Sequence, residues 1–233
     1  MLRAIGASVI GPAHILEGRP NQDAILVRRN QGGWFLAVAD GLGSRTLSHI
    51  GARMAVQVAR ESLGMDVLTA EPREAIQRFY RSWLKAIPTQ EPGTMATTLL
   101  IASCGADGRC RIVQLGDGLA MYRAGGHFGL LTEVRTGFGN ETDALGVTKS
   151  FSAWRYQDVV LSEVGDGVIL MTDGLADDLV PERLDSFFSW VIGEAAKRSR
   201  RNGRKWLEQQ MTAWPTALHA DDKSIGLILR GDR

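Results

Sequence analysis

The sequence predicts an α+β fold in which two antiparallel sheets pack together and are covered by helices. Three observations carry this. Strand-length apolar runs lie on both sides of a pair of amphipathic stretches. Gly-bearing turns separate the later runs at hairpin spacing. The helical stretches are segregated in sequence rather than alternating with single strands, as a parallel βαβ sheet would require.

The first run covers residues 4–10 and is short and apolar. Runs at 24–29 and 34–39 follow, and Asn30-Gln31-Gly32-Gly33 between them is a hairpin turn signal. Ser48–Leu63 places Ile50, Met54, Val58 and Leu63 close to a 3.6-residue period and reads as a helix. Pro72 opens a second helix, where its missing N–H costs nothing. That helix runs through Ile76, Phe79, Tyr80, Trp83 and Leu84 and stops before Pro88. Residues 97–102, 109–115, 119–123 and 128–131 then read as an antiparallel meander, continued by 154–161 and 168–172. Residues 181–214 are helical in composition, with a basic stretch at 197–205, and 224–230 is a last strand.

The chain has 233 residues, 44% hydrophobic and 23% charged, with a net charge of +1. That is the profile of a folded domain with a sizeable core, and it gives no case for a nucleic-acid or membrane partner. No run approaches the roughly 18 apolar residues of a membrane span, and residues 1–6 lack a secretory cleavage pattern. A cytoplasmic protein is expected. Cys104 and Cys110 flank a short turn without metal-ligand spacing; two free thiols on neighbouring strands in a reducing compartment are expected.

The chemistry lies in the acids. Residues 36–42 and 168–175 echo each other: an apolar strand that ends in Asp-Gly-Leu, at Asp40 and at Asp173. Asp-Gly is also a common hairpin turn, and Asp107-Gly108 and Asp166-Gly167 read that way. Asp40 and Asp173 differ, because each follows an apolar run and precedes another apolar residue. A carboxylate where a buried strand emerges is costly unless paired or bound to a cation. Asp23 stands before a strand, Asp117 after one, and Asp221-Asp222 before the last. Acids recurring at strand ends, with few His and no Cys cluster, suggest oxygen-loving cations such as Mg²⁺ or Mn²⁺.

These segments, in this order, resemble the type-2C metal-dependent protein serine/threonine phosphatases of bacterial type. Asn21-Gln22-Asp23-Ala24 is similar to the family's first acidic motif, and Val38-Ala39-Asp40-Gly41-Leu42-Gly43 to its Asp-Gly metal motif. Gly93-Thr94-Met95-Ala96-Thr97-Thr98 resembles its Thr-rich strand entry. Leu115-Gly116-Asp117-Gly118 and Asn140-Glu141-Thr142-Asp143-Ala144-Leu145-Gly146 resemble the next two motifs. Thr172-Asp173-Gly174-Leu175-Ala176-Asp177 and Asp221-Asp222-Lys223-Ser224 resemble the last two.

The resemblance covers nearly the whole chain and implies one domain over residues 1–233, folded as a four-layer αββα sandwich. It implies hydrolysis of phosphoserine or phosphothreonine on a protein by a metal-activated water, with two core Mn²⁺ or Mg²⁺ ions between the sheets. Asp40, the Gly41 carbonyl, Asp173 and Asp221 would hold them, and Asp23 would support them. Asp117, with Asp173 and Asp177, would form a weaker third site. Gln22 and Asp222 stand behind the ligands. The implied partner is a phosphorylated protein, a Ser/Thr kinase or its target, in bacterial signalling.

The chain departs from the family pattern in places. Gln22 stands where many members have a metal-binding Glu, so one charge is missing. Arg19 is three residues before Gln22 rather than four, which leaves it either the phosphate-binding arginine or a surface charge. Position 42 is Leu where some members have a His proposed as general acid; His14 is a substitute or a structural residue, and His49 and His219 read as helix and loop residues. Residues 131–140 are short for the family's flap over the active site. The basic stretch is a solvated face or a docking surface for an acidic partner. The competing reading is a pseudophosphatase that binds a kinase or phosphoprotein without turnover, favoured by Gln22 and opposed by Asp40, Asp173 and Asp221.

Overall fold

The computed structural model describes residues 1–30, 32–64, 68–132, 142–214 and 220–232. Among them, strands form two five-stranded antiparallel sheets. The first has the order β1 (Leu2–Val9), β10 (Lys223–Arg230), β9 (Gly167–Met171), β6 (Leu119–Ala124), β7 (His127–Leu130). The second has the order β2 (Asp23–Asn30), β3 (Gly33–Asp40), β4 (Leu99–Cys104), β5 (Arg109–Leu115), β8 (Arg155–Val160).

Strand alternation sorts the core into three layers. On β3, Phe35, Ala37 and Ala39 face α2 (Ser48–Leu63) and α3 (Pro72–Ala86), while Leu36 and Val38 face the other sheet. On β9, Ile169 and Met171 face α5 (Leu184–Ala196) and α6 (Arg200–Thr212), while Val168 and Leu170 point inward. Strands buried on both faces must be apolar at successive positions, which is why they read as continuous runs. Ala52, Ala55 and Ala59 of α2 share a layer with Ala37 and Ala39, so small side chains let helix and sheet approach. Pro72 opens α3 as expected, capped by the Glu71 carboxylate, which accepts from the Glu74 N–H at 2.9 Å. The result is the αββα sandwich.

Two expectations are corrected. The strands after residue 97 do not form one meander. β4 and β5 are a hairpin in the second sheet, β6 and β7 a hairpin in the first, and β8 and β9 return to the second and the first. Turn residues signal that a strand ends, but not which sheet receives the next. At the first crossing Gly116 has φ +101°, and a Cβ there would lie 2.6 Å from Thr98 Cγ2. The two cysteines are not free thiols. The hairpin register sets Cys104 directly opposite Cys110, with Cα atoms 4.0 Å apart, and the sulfurs are bonded. A short helix that the sequence pattern did not show, α1 (Pro12–Glu17), joins β1 to β2.

Register gathers the acids at one end of the sandwich. Val9 pairs with Lys223, Asp23 with Asp40, and Met171 with Ile225. The ends of β1, β3 and β9 therefore meet the beginnings of β2 and β10. No helix among the described residues is long and apolar enough to cross a membrane.

Leu36 is fully buried between the sheets. Leu36→Ala is expected to lower the unfolding free energy by about 2–5 kcal/mol, read as a shift of the urea midpoint.

Candidate metal centre

Asp23 and Asp40 are a directly opposed cross-strand pair on β2 and β3. Like charges in that position repel, so the sheet is built against its own electrostatics here. Asp23 is buried, and its Oδ2 accepts a hydrogen bond from Thr172 Oγ1 at 2.9 Å. Thr172 Oγ1 in turn accepts from the Ser224 N–H at 3.0 Å, which ties β2 of one sheet to β9 and β10 of the other. The Asp40 backbone is clamped by the residues that lead into β4: its N–H donates to Thr98 Oγ1 (3.0 Å), and its carbonyl accepts from Thr98 N–H (2.8 Å) and Thr97 Oγ1 (2.8 Å).

Asp173 enters from the opposite sheet as the first residue of α4 (Asp173–Ala176). Its carboxylate is in hydrogen-bond contact with that of Asp40, a contact that raises Asp40 and lowers Asp173. Burial raises Asp40 well above the ordinary carboxylate range, with the Asp23, Asp173 and Asp221 charges adding to it. Burial also pushes Asp23 up to about 8, despite the Thr172 hydroxyl, with Asp222 and Asp173 contributing. Asp173 is pushed up to about 6 by burial and by Asp117, Asp221 and Asp177, against the opposing hydrogen bond to Asp40.

A cavity of about 160 Å³ opens between these groups, lined by the carboxylates of Asp40, Asp117, Asp173 and Asp221 and by Gly41. Thr98 and Thr142 also line it, and Thr142 Oγ1 donates to Asp117 Oδ2 at 2.5 Å. Asp177 follows on the turn after α4, its N–H donating to the Asp173 carbonyl at 3.0 Å. Carboxylates that raise one another by repulsion are a donor set short of positive charge. Divalent cations reverse that sign locally, and an all-oxygen set suits Mg²⁺ or Mn²⁺. The residues present therefore fit such ions.

Asp221 and Asp222 divide their work. Asp221 faces the cavity and accepts from the Asp222 N–H at 2.7 Å. Asp222 is buried and turned away, accepting from Gly11 N–H (2.7 Å), Gln22 N–H (2.6 Å) and His14 Nδ1 (2.8 Å). His14, Asp221 and Asp222 offer ligand atoms within 4.8 Å of one another. With both Asp222 oxygens accepting, that trio reads as the staple holding the β1–β2 connection to the start of β10. His14 is thereby a positioning residue. Gly174 shares this packing: a Cβ there would lie 2.0 Å from the Asp222 carbonyl oxygen.

Gln22 lines the cavity and is buried, with Nε2 donating to Ser48 Oγ at 3.2 Å. Its carbonyl accepts from the Gly41 N–H at 3.1 Å, which fixes the turn that follows β3. Arg19 is not brought into the cavity. It donates to Glu17 Oε2 (3.0 Å) and to the carbonyl of Gly43 (3.1 Å), which places it at the rim. Residues 133–140 of the flap, Asn140-Glu141 and His219 lie outside the described residues. Sequence reasoning missed Thr98, Thr142 and Thr172 as site residues, although all three stand inside the motifs quoted above. Their signal was a hydroxyl residue beside each acid or its strand partner.

The sequence profile of the family described as Protein phosphatase 2C matches residues 10–214. The chain belongs to that family. A search of curated proteins returns no match. Among solved structures, the Mycobacterium tuberculosis serine/threonine phosphatase PstP/Ppp is similar with a TM-score of 0.65, at 16% identity over 99% of each chain. The catalytic domain of the serine threonine protein phosphatase PstP in complex with two manganese ions gives 0.65 at 18% identity, over 99% of each chain. RsbX in complex with magnesium gives 0.62 at 14% identity, covering 98% of this chain and 94% of that one. At these identities the likeness is one of fold.

Metal and protons compete for these carboxylates, and the sign follows. Asp23 and Asp173 are raised from 3.8, so the folded chain binds protons that the unfolded chain has released. The stability tied to those protons is complete below about pH 4 and is lost as pH climbs through about 6 and then about 8. Metal-free protein is therefore expected to lose roughly 3 kcal/mol through Asp173 and more through Asp23 across that window. Added Mn²⁺ should restore it, raising Tm by roughly 5 °C or more at pH 8 and far less at pH 5, measured by calorimetry against an EDTA control.

Proposed function

We propose that this protein is a divalent-metal-dependent phosphatase that hydrolyses phosphoserine or phosphothreonine on proteins. One observation carries the reading: Asp23 and Asp40, opposed across one sheet, meet Asp173 from the other at a cavity that Asp117 and Asp221 also face. No structural role requires such a gathering of acids, and its repulsion is a standing cost to the fold.

In this reading Asp40, Asp173, Asp221 and the Gly41 carbonyl hold two core ions, with Asp23 supporting them. Asp117, Asp173 and Asp177 hold a weaker third. When bound, Mn²⁺ or Mg²⁺ supplies Lewis-acid charge that acidifies water and neutralises charge developing on the phosphoryl oxygens. The protein's own part is positioning. Thr98 and Thr97 fix the Asp40 backbone, Thr172 fixes Asp23, and Asp222 with His14 fixes the loop that presents Asp221. Arg19, released from Glu17, is the guanidinium assigned to the phosphate. The whole chain acts as one domain. The biological setting we infer is the cytoplasm, where it reverses the work of a partner kinase in bacterial signalling.

A second reading, a phosphoprotein-binding module without turnover, is favoured by Gln22, whose amide brings no charge to the acids. One assay separates the two. Wild-type protein with Mn²⁺ is expected to release p-nitrophenol from its phosphate ester. EDTA or Asp173→Ala should reduce the rate by about a hundredfold or more. Silence of the metal-loaded wild type would leave the binding module. Gln22→Glu restores a negative charge beside the cavity and is expected to tighten Mn²⁺ binding about tenfold in a calorimetric titration. An unchanged affinity would place Gln22 outside the ions' electrostatic reach.

A further inference from the structure

The two sheets end on the same flank, β1 closing the first and β2 the second. Between these open edges lies a groove of about 660 Å³, within the size range of ligand-binding clefts. Its walls are residues 5–8 of β1 and 25–28 of β2, with Gln57 of α2 on one side and α6 on the other. Every charged residue that lines it is an arginine: Arg28, Arg200, Arg201 and Arg204. The chain as a whole carries only +1, so this is a local concentration of charge rather than a share of a basic surface.

The structure divides the basic stretch noted in the sequence. Lys197 and Arg198 are paired with Glu194 on α5, away from the groove. Arg200, Arg201 and Arg204 face it, Arg204 while pairing with Glu208. Arg200 stacks over the Trp34 ring, 5.1 Å from its centroid, and its Nη2 donates to the Val27 carbonyl at 3.3 Å. A carbonyl of β2 thus points into the groove and accepts from a side chain, as an edge strand's outward groups do. Ala7, Ile25 and Val27 give the floor apolar character.

We propose that this groove docks an extended, acidic segment of a partner protein. Edge strands recruit extended peptides through their unpaired backbone groups. A period-two segment with acids on one face would set them against the arginines and lay its alternate apolar side chains on Ile25 and Val27. The groove and the acid centre share β2, which begins at Asp23; strand rise puts Arg28 about 17 Å from it. Docking by this surface does not rest on the catalytic reading.

The probe is a fluorescein-labelled peptide of about eight residues alternating Glu and Val, titrated with the full chain and followed by anisotropy. Saturable binding is expected, weakened by added salt and absent for the matching Lys/Val peptide. The double variant Arg28→Glu/Arg201→Glu should weaken it about tenfold or more while leaving p-nitrophenyl phosphate turnover and the far-ultraviolet circular dichroism unchanged. A milder Arg201→Gln variant, expected to weaken binding in the same direction, guards against loss of fold. Hydrogen exchange should slow on β1 and β2 when the peptide binds. No saturable binding up to about 1 mM, equal binding by the variants, or tighter binding of single-stranded RNA than of the peptide would overturn the proposal. In that event the arginines only shield two open edges from aggregation. Since binding needs no turnover, a catalytically silent protein leaves the experiment readable.

Discussion

The constraint that organises this molecule is the mutual repulsion of carboxylates held where water is scarce. Asp23 and Asp40 oppose each other across a strand pair, and Asp173 reaches Asp40 from the facing sheet. Everything around them either holds them in place or limits the cost. Thr97 and Thr98, just ahead of β4, lock the backbone of Asp40, and Thr172 offers Asp23 a donor while itself held by Ser224. A divalent cation placed among them would offset that repulsion.

That arrangement needs a sandwich. Acids on a single sheet could face solvent and spread apart. Here two sheets with apolar inner faces bring strand ends together and leave the carboxylates one small cavity to share. The helices matter to the site indirectly, by covering the outer faces so that both sheets are pressed inward.

Much of this was legible in the sequence. Apolar runs on β3, β9 and β10 gave the strands, because burial on both faces leaves little room for polar residues. The amphipathic period and the proline opening gave α2 and α3. Asp40 and Asp173 stood out because each interrupts an apolar run without a turn partner. What was not legible is long-range. Turn glycines do not say which sheet the chain enters next, so the alternation of β5 to β9 between sheets read as a meander. α1 is too short for a period to show, yet it carries His14 to Asp222. The cysteine pairing depended on hairpin register, and Arg19 on where a loop lays its side chain.

The Asp222 staple has a consequence in time. Its partners Gly11, His14 and Gln22 lie 211, 208 and 200 positions earlier in the chain. During synthesis on the ribosome, a chain that has emerged as far as residue 214 already carries Asp23, Asp40, Asp117 and Asp173 but lacks Asp221 and the strand that seats it. On the proposed metal reading, ion capture is therefore a late event in the life of each molecule, postponed until β10 slides between β1 and β9.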